Sequence, residues 1–154
     1  MRTLRQYLQA KNYQPIPLRT TLTGHFETDA SINGIPGTFI VDTGASNSCV
    51  GLEGIEKFKL KAKETEVRAA GAGSTDMEAQ IASRNSITIG NWERKRFSLI
   101  IFDLHHVNTA LVQHHAMPVD GIIGADLLKK AKAIIDYDKK VMYLKLRTKK
   151  PDRM

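Results

Sequence analysis

The chain has 154 residues, 42% of them hydrophobic and 25% charged, which fits one globular domain. With 23 Lys and Arg against 16 Asp and Glu, its net charge of +7 attracts anions without identifying a partner. No apolar run reaches the roughly 20 residues that span a bilayer, so we expect no membrane association. The single cysteine, Cys49, excludes a disulfide within the chain and any multi-cysteine metal site.

Residues 1–20 are interpreted as an N-terminal extension. Leu4 and Leu8 are one helical step apart and predict a short amphipathic helix, which Pro15 and Pro17 would end. No continuous apolar segment of a secretory signal is visible, and an Arg-rich transit peptide is the less favoured alternative. Together with the lone thiol, this predicts a cytoplasmic protein.

From residue 21 to 147 the pattern predicts short strands joined by tight turns. A strand over 25–32 ends at Asn33-Gly34, a strong hairpin signal, and residues 37–41 form a compact apolar strand that should be buried. Further strands are expected over 48–52, 57–63, 67–70, 77–81, 86–89, 96–102, 133–136 and 141–146.

The helical content of this region is low. One helix is expected over 126–131, with Asp126 as its N-cap, and residues 148–154 are interpreted as a basic tail. Closely spaced strands with little helix predict an all-β domain, an antiparallel barrel or sandwich.

Two stretches carry the candidate chemistry. In the first, Asp42 directly follows the apolar strand that ends with residues 39–41 (FIV), and it is followed by a turn of Thr43, Gly44, Ala45 and Ser46. This arrangement holds a carboxylate at a strand end beneath backbone N–H groups, with Gly44 allowing close approach and backbone angles that other residues avoid. The alternative is that Asp42 and Ser46 only cap a β-turn. In the second stretch, Ile122, Ile123 and Gly124 lead into the predicted helix.

Together these stretches resemble the retropepsin-like aspartic proteases, the single-lobed branch of that enzyme class. The Asp-Thr-Gly-Ala-Ser turn, a Gly-containing hairpin about 30 residues later, and the apolar-apolar-Gly motif follow one another in the family's order across roughly residues 22–146. The resemblance implies a small closed β barrel with one helix near the C-terminus. It also implies hydrolysis of peptide bonds in a peptide or protein substrate, without a metal or organic cofactor.

The implied mechanism needs two carboxylates that share one proton. This chain has a single Asp-Thr-Gly, and neither Asp120-Gly121 nor Asp136-Tyr137-Asp138 repeats it. The second carboxylate is therefore expected from Asp42 of another subunit, across the two-fold axis of a homodimer.

Other roles follow from the resemblance. Thr43 would hydrogen-bond across the dimer, and the carbonyl of Gly44 would face substrate. Ile122, Ile123 and Gly124 would pack beneath the active-site turn. The flap that closes over the peptide would comprise Ala70, Gly71, Ala72, Gly73, Ser74 and Thr75.

Three departures from the family pattern favour alternatives. Ala45 stands where double-lobed relatives carry Ser, which removes a donor to the ionised carboxylate and predicts activity nearer neutral pH. Ala125 stands where viral relatives carry an Arg that buttresses the dimer, and the flap lacks a Tyr. The resulting alternative is a catalytically weak peptide-binding dimer. A separate alternative is a protease kept latent by residues 1–20 lying in its cleft.

Two further signals are interpreted as structural. The histidines at 105, 106, 114 and 115 lie in an insertion over 104–117, and adjacent histidines in a strand point to opposite faces, so no metal site is expected. Basic clusters such as Lys57, Lys59, Lys61 and Lys63 are interpreted as solvated faces, so no nucleic-acid partner is expected. A basic nucleic-acid-binding barrel is the remaining alternative.

Overall fold

The computed structural model describes residues 1–64 and 79–147. The helices are α1 (Leu4–Ala10), α2 (Gly54–Lys57), α3 (His105–Gln113) and α4 (Ala125–Lys130). The strands are β1 (Tyr13–Pro17), β2 (Arg19–Thr20), β3 (Phe26–Ile32), β4 (Ile35–Val41), β5 (Cys49–Val50), β6 (Ala62–Glu64), β7 (Gln80–Ile89), β8 (Trp92–Ile101), β9 (Gly121–Ile123), β10 (Ile134–Asp136) and β11 (Val141–Lys145).

Six strands close into a barrel. Their order is β3-β4-β9-β5-β8-β7, and β7 pairs back to β3 through Ser31 with Thr88 and Ile32 with Ile87. Strands β2 and β6 extend this sheet beyond the ring. The predicted all-β closed barrel is therefore confirmed. However, β4 pairs with β9, and β5 with β8, in parallel, so the expectation of a purely antiparallel sheet was wrong.

The barrel interior is a single apolar cluster. It includes Phe39 from β4, Ile123 from β9 and Leu99 from β8, all at most 1% exposed, and Leu127 from α4 joins it. Removing these side chains from water supplies the main driving force for closing the barrel. The same closure fixes where β4 ends, and with it the position of the next residue, Asp42.

The N-terminal residues form a helix and a strand. Helix α1 begins with a capping box, in which Thr3 Oγ1 accepts from Gln6 N–H while the Gln6 side chain accepts from Thr3 N–H. Strand β1 then pairs with β11 along its whole length, in a separate sheet of order β1-β11-β10. Pro15 and Pro17 lie in this edge strand, a place where a missing N–H is tolerated. The division into residues 1–20, 21–147 and 148–154 stays a prediction.

Local differences from the predicted elements have simple causes. The charge alternation over 57–63 is not one strand, because helix α2 includes Lys57, Phe58 is fully buried after it, and strand β6 begins only at Ala62. The insertion over 104–117 contains the unpredicted helix α3, which Leu111 anchors to a second apolar cluster. Asp126 is not the N-cap of α4; Gly124 occupies that position. The strand expected over 67–70, residues 77–78, the flap residues and the basic tail lie outside the described residues.

Candidate active site

Asp42 lies directly after β4 and is held there by main-chain hydrogen bonds. Its N–H donates to the carbonyl of Ile123 at 3.0 Å, which continues the β4–β9 pairing by one residue. The N–H of Gly44 donates to Asp42 Oδ1 at 2.9 Å, and Ala45 N–H donates to the Asp42 carbonyl at 3.2 Å. The carboxylate is half-buried. A backbone amide therefore orients an accessible carboxylate at a strand end.

The turn after Asp42 corrects one expectation about its glycine. Gly44 does not adopt a left-handed φ. Instead, a Cβ on Gly44 would lie 3.3 Å from Asp42 Oδ1, so the glycine is suited to close approach of the carboxylate. Thr43 and Ser46 are both exposed, and neither hydroxyl is hydrogen-bonded within residues 1–64 and 79–147. The turn is thus stabilised through its main chain, and Ser46 adds no cap to it.

The predicted second motif lies against this turn. Ala125 N–H donates to the Ala45 carbonyl at 2.7 Å, and a Cβ on Gly124 would lie 2.7 Å from that same oxygen. Only a residue without a side chain fits at position 124, because the obstructing atoms are backbone atoms. Ile123 points into the barrel core, whereas Ile122 lines the cleft beside Asp42.

A buried brace between the two motifs was missed by sequence reasoning. Ser48, at 1% exposure, accepts from Gly124 N–H at 2.9 Å and donates its hydroxyl to Asp126 Oδ1 at 2.8 Å. The same carboxylate oxygen accepts from Ser48 N–H at 2.9 Å. The carboxylate of Asp126 therefore holds Ser48, the residue directly before strand β5. The sequence around Asp126 does not indicate that its hydrogen-bond partner is Ser48, 78 residues earlier.

Asp42 borders a cleft of about 260 Å³. Most of its walls are apolar, and helix α3 provides one of them. The described residues that line it are Thr23, His25, Ile40, Asp42, Val107, Ala110, Leu111 and Ile122. The insertion over 104–117, to which the sequence assigned no role, therefore shapes the space next to the carboxylate.

The opposite rim of the cleft is a hydrogen-bonded turn. Thr23 Oγ1 lies 2.7 Å from both Thr21 Oγ1 and His25 Nδ1, and His25 N–H donates to Thr21 Oγ1 at 3.1 Å. These contacts hold His25 at the cleft edge although its side chain is exposed.

Cys49 lies next to the site as a buried free thiol. Burial raises the pKa of its thiol to about 12, so the thiol stays protonated near neutral pH. This agrees with the interpretation of Cys49 as a small buried residue. Among the described residues, no three His, Cys, Asp or Glu side chains converge as a metal site would require, and no helix is long and apolar enough to cross a bilayer.

The predicted flap, Ala70 to Thr75, lies outside the described residues. The strands on either side of it, β6 and β7, pair antiparallel through Ala62 with Ala82, Lys63 with Ile81 and Glu64 with Gln80.

Comparison with solved structures defines the class of this fold. A retropepsin-like aspartic protease from Rickettsia conorii aligns with a TM-score of 0.55 and 26% identity, over 86% of this chain and 87% of that one. EIAV protease in complex with the inhibitor HBY-793 aligns with a TM-score of 0.53 and 20% identity, over 71% and 90% of the two chains. The retroviral protease-like domain of Ddi1 from Leishmania major gives 0.54 and 18%, over 82% and 90%. The barrel is therefore of the retropepsin type.

The family assignment rests on the sequence itself. The aspartyl protease family matches residues 28–127, well over half of the chain and inclusive of Asp42 and Gly124. This protein belongs to the aspartyl protease family. An uncharacterized protein in the cobV 5′ region of a Sinorhizobium species is 41% identical over 51 residues, which are 33% of this chain and 22% of that protein. The matched segment is thus about a fifth of that relative.

Proposed function

We propose that this protein is an aspartic endopeptidase whose dyad forms from Asp42 of two identical chains. The observation that carries the proposal is the isolation of Asp42, the one carboxylate lining its cleft among the described residues. A hydrolytic site of this type needs two carboxylates that share one proton, because two like charges so close cannot both ionise.

Three other carboxylates of the same chain, those of Asp120, Asp126 and Asp136, already accept hydrogen bonds. Asp120 accepts from Thr38 N–H and from Lys57 Nζ, both at 2.9 Å. Asp126 is held by Ser48, and Asp136 Oδ1 accepts from Lys139 N–H at 3.0 Å. The second acid is therefore best supplied by Asp42 of a second chain, whose exposed Thr43 would face its counterpart across the two-fold axis.

The chemistry of such a pair follows from its shared proton. The ionised carboxylate accepts a proton from a bound water as that water attacks the scissile carbonyl. The protonated carboxylate donates to the carbonyl oxygen, and the tetrahedral diol collapses when the leaving nitrogen is protonated. In this chain Gly44 N–H keeps one Asp42 oxygen oriented throughout. The apolar walls from Ile122 and Leu111 suit an apolar substrate side chain.

The remaining elements of the proposal rest on sequence. Residues 70–75 would close over an extended peptide bound as a strand, and the enzyme would act in the cytoplasm. One residue favours a weaker alternative, a peptide-binding dimer with little turnover. The N–H of Ala125 donates to the carbonyl of Ala45 in the active-site turn, but the side chain of Ala125 is a methyl group. It therefore lacks the guanidinium group that would reinforce a dimer at this position.

The structure does not support the latent arrangement. Residues 13–17 pair with β11, and no residue before Thr23 lines the Asp42 cleft. Removal of residues 1–20 is therefore not expected to raise activity by uncovering the site.

The test is cleavage of a diverse peptide mixture between pH 4 and 8, read by mass spectrometry, for the wild type and for Asp42→Asn. The proposal expects cuts that disappear in the variant. Folded proteins that both fail to cut would favour the peptide-binding alternative.

A mixing experiment tests the shared dyad itself. Wild type and Asp42→Asn are mixed at a constant total concentration, unfolded together and refolded so that subunits exchange. If both carboxylates are needed, an equal mixture retains about one quarter of the wild-type rate, because only pairs of wild-type chains are active. A rate of about one half would mean that each chain works alone.

A further inference from the structure

A second cleft lies at the far end of the β3–β4 hairpin from Asp42. It has a volume of about 650 Å³, and its described lining is polar and positively charged. We call it the basic cleft. Its lining residues are Asn33, Lys59, Lys61, Lys63, Ser83, Arg84 and Asn85. Four of these are cations, and the described lining contains no carboxylate.

The floor of the basic cleft is built by two asparagines. Asn33 Nδ2 donates to the Phe58 carbonyl at 3.0 Å and to Asn85 Oδ1 at 3.1 Å, while Ser86 N–H donates to Asn33 Oδ1 at 3.0 Å. Asn85 is 4% exposed, and its Nδ2 donates to the Ala82 carbonyl at 2.9 Å. These hydrogen bonds connect the β3–β4 turn, the end of α2 and strand β7, so the backbone that carries the four cations is held in place.

Two of the cations occupy unusual backbone positions. Lys59 has a φ of 56° and Arg84 a φ of 62°, the left-handed region that glycine or asparagine adopts more readily. Arg84 lies where the β7–β8 register shifts between Ala82 and Asn85, and such bulges redirect side chains. The same conformation occurs at Arg96, Lys132 and Lys140 outside the cleft, so the case for a binding site rests on the gathered charge.

The charge of the cleft is not neutralised within the described part of the chain. Lys59, Lys61, Lys63 and Arg84 form no salt bridge with any carboxylate of residues 1–64 or 79–147. Lys57, two residues earlier than Lys59, does pair with Asp120 at 2.9 Å. Cations gathered in a concave polar surface attract an anionic partner.

The lining of the cleft indicates which anion fits. Lys59, Lys61 and Lys63 gather with Arg84 around one polar concave surface, and of the three lysines only Lys63 lies in a strand, so the charges form a cluster and not a regular row. The described lining has no aromatic ring on which a nucleic-acid base could stack. We propose that the basic cleft is an exosite that binds an acidic segment, rich in Asp or Glu, in the protein substrate. This inference rests on the proposed peptidase function.

The location of the cleft sets where the acidic segment lies in a substrate. Asn33 and Asp42 are nine positions apart at opposite ends of β4. At roughly 3.3 Å per residue the strand places the two sites at most about 30 Å apart. An acidic segment ten to twenty residues from the cleaved bond is therefore separated from it by enough chain to reach the basic cleft of the same chain.

Binding is tested first, because it does not require catalysis. A fluorescent peptide with four glutamates is titrated by anisotropy against the wild type and Lys61→Glu/Lys63→Glu/Arg84→Glu. The matched control is Arg2→Glu/Lys95→Glu/Lys139→Glu, three exposed cations that do not line the cleft. Each triple variant changes the net charge from +7 to +1, so general attraction is equal. The proposal expects about tenfold weaker binding for the cleft variant alone, at 0.15 M salt.

Equal loss in both variants would overturn the proposal, because it would show attraction to net charge only. Tighter binding of a single-stranded oligonucleotide of the same charge, lost in the cleft variant, would overturn it in favour of nucleic acid. Circular dichroism establishes that each variant is folded.

Turnover is tested second, with two peptides that share one cleaved sequence and differ in a glutamate segment 15 residues away. The proposal expects a KM about tenfold lower for the acidic peptide, and expects the cleft variant to lose this advantage with kcat unchanged. Equal KM values for the two peptides would refute the exosite. Absence of any cleavage together with specific peptide binding would refute the peptidase and leave the acidic-peptide site standing.

Discussion

The two ends of the β3–β4 hairpin are built by different means. At one end Asp42 lies in a mainly apolar cleft, oriented by the N–H of Gly44 and packed against Gly124. At the other end the Asn33 turn borders the basic cleft, which is lined by four long cations, two of them in a left-handed backbone conformation. The first site depends on the main chain and on glycines, and the second depends on side-chain charge.

This difference determines how each site should respond to change. Main-chain hydrogen bonds and close glycine contacts tolerate almost no added volume, so substitutions at the Asp42 end should affect activity and folding steeply. Exposed cations contribute through summed electrostatics that salt screens, so single substitutions at the other end should have small effects.

The largest expected effect is the loss of the Asp42 carboxylate. We expect Asp42→Asn to lower kcat/KM at least about a thousandfold, because a neutral amide cannot accept the proton of the attacking water. Stability should change little, since Asp42 is only half-buried. Steady-state hydrolysis with Asp138→Asn, an exposed carboxylate elsewhere, as control measures this. Full activity in Asp42→Asn would contradict the expectation that substitutions at the Asp42 end of the hairpin have larger effects than those at the basic cleft.

Next in size is the steric effect at Gly124. A Cβ there would lie within 3 Å of backbone atoms of Ala45 and Asn47, which cannot move without opening the turn. We expect Gly124→Ala to lower the free energy of unfolding by about 3 kcal/mol. Urea denaturation would measure it against Gly51→Ala, whose nearest contact is the flexible Glu53 carboxylate at 3.3 Å. Similar losses in both variants would contradict the close-packing argument.

A smaller effect is expected when the buried brace is removed. Ser48→Ala leaves Gly124 N–H without its partner and takes one donor from Asp126, at a cost of about 2 kcal/mol. Ser46→Ala, two residues earlier and exposed, should change the free energy of unfolding by less than about 0.5 kcal/mol. Thermal or urea unfolding of the pair checks the difference, and equal values would mean that the brace stabilises nothing.

The smallest effect is a pH dependence from Cys49. Burial raises the pKa of this thiol from 9.0 to about 12, so the native state keeps a proton that the unfolded chain releases above pH 9. Stability should therefore be unaffected at neutral pH and should fall as pH rises. Between pH 8 and 10 we expect wild type to lose about 1 kcal/mol more than Cys49→Ala. Urea titrations at both pH values test this, and parallel slopes would contradict the burial of the thiol.

The Asp42 end could be predicted from sequence because its determinants are local. An apolar strand, one acid and two glycines occupy short continuous stretches, and each stretch constrains its own backbone. The family match over residues 28–127 and the closed barrel agree with that prediction. Residues 70–75 stay a prediction.

The surrounding structure was not predictable in the same way. Helix α3 lacks a side-chain N-cap, and its histidine pairs resemble a solvated loop in sequence, yet Leu111 packs it beside the cleft. Lys59, Lys61 and Lys63 were interpreted as a solvated face, because nothing nearby in sequence shows that Arg84 and two asparagines meet them.

By itself, the sequence determined the chemistry available to this protein: one Asp-Thr-Gly turn, no second copy of it, and strands short enough to close a barrel. The tertiary structure decided which groups act together. Barrel closure brought Ser48 to Asp126, Gly124 to Ala45 and Asn33 to Asn85, pairs separated by 78, 79 and 52 positions. Contacts over such separations depend on which distant strands pair, and the residues around any one strand do not encode its distant partner.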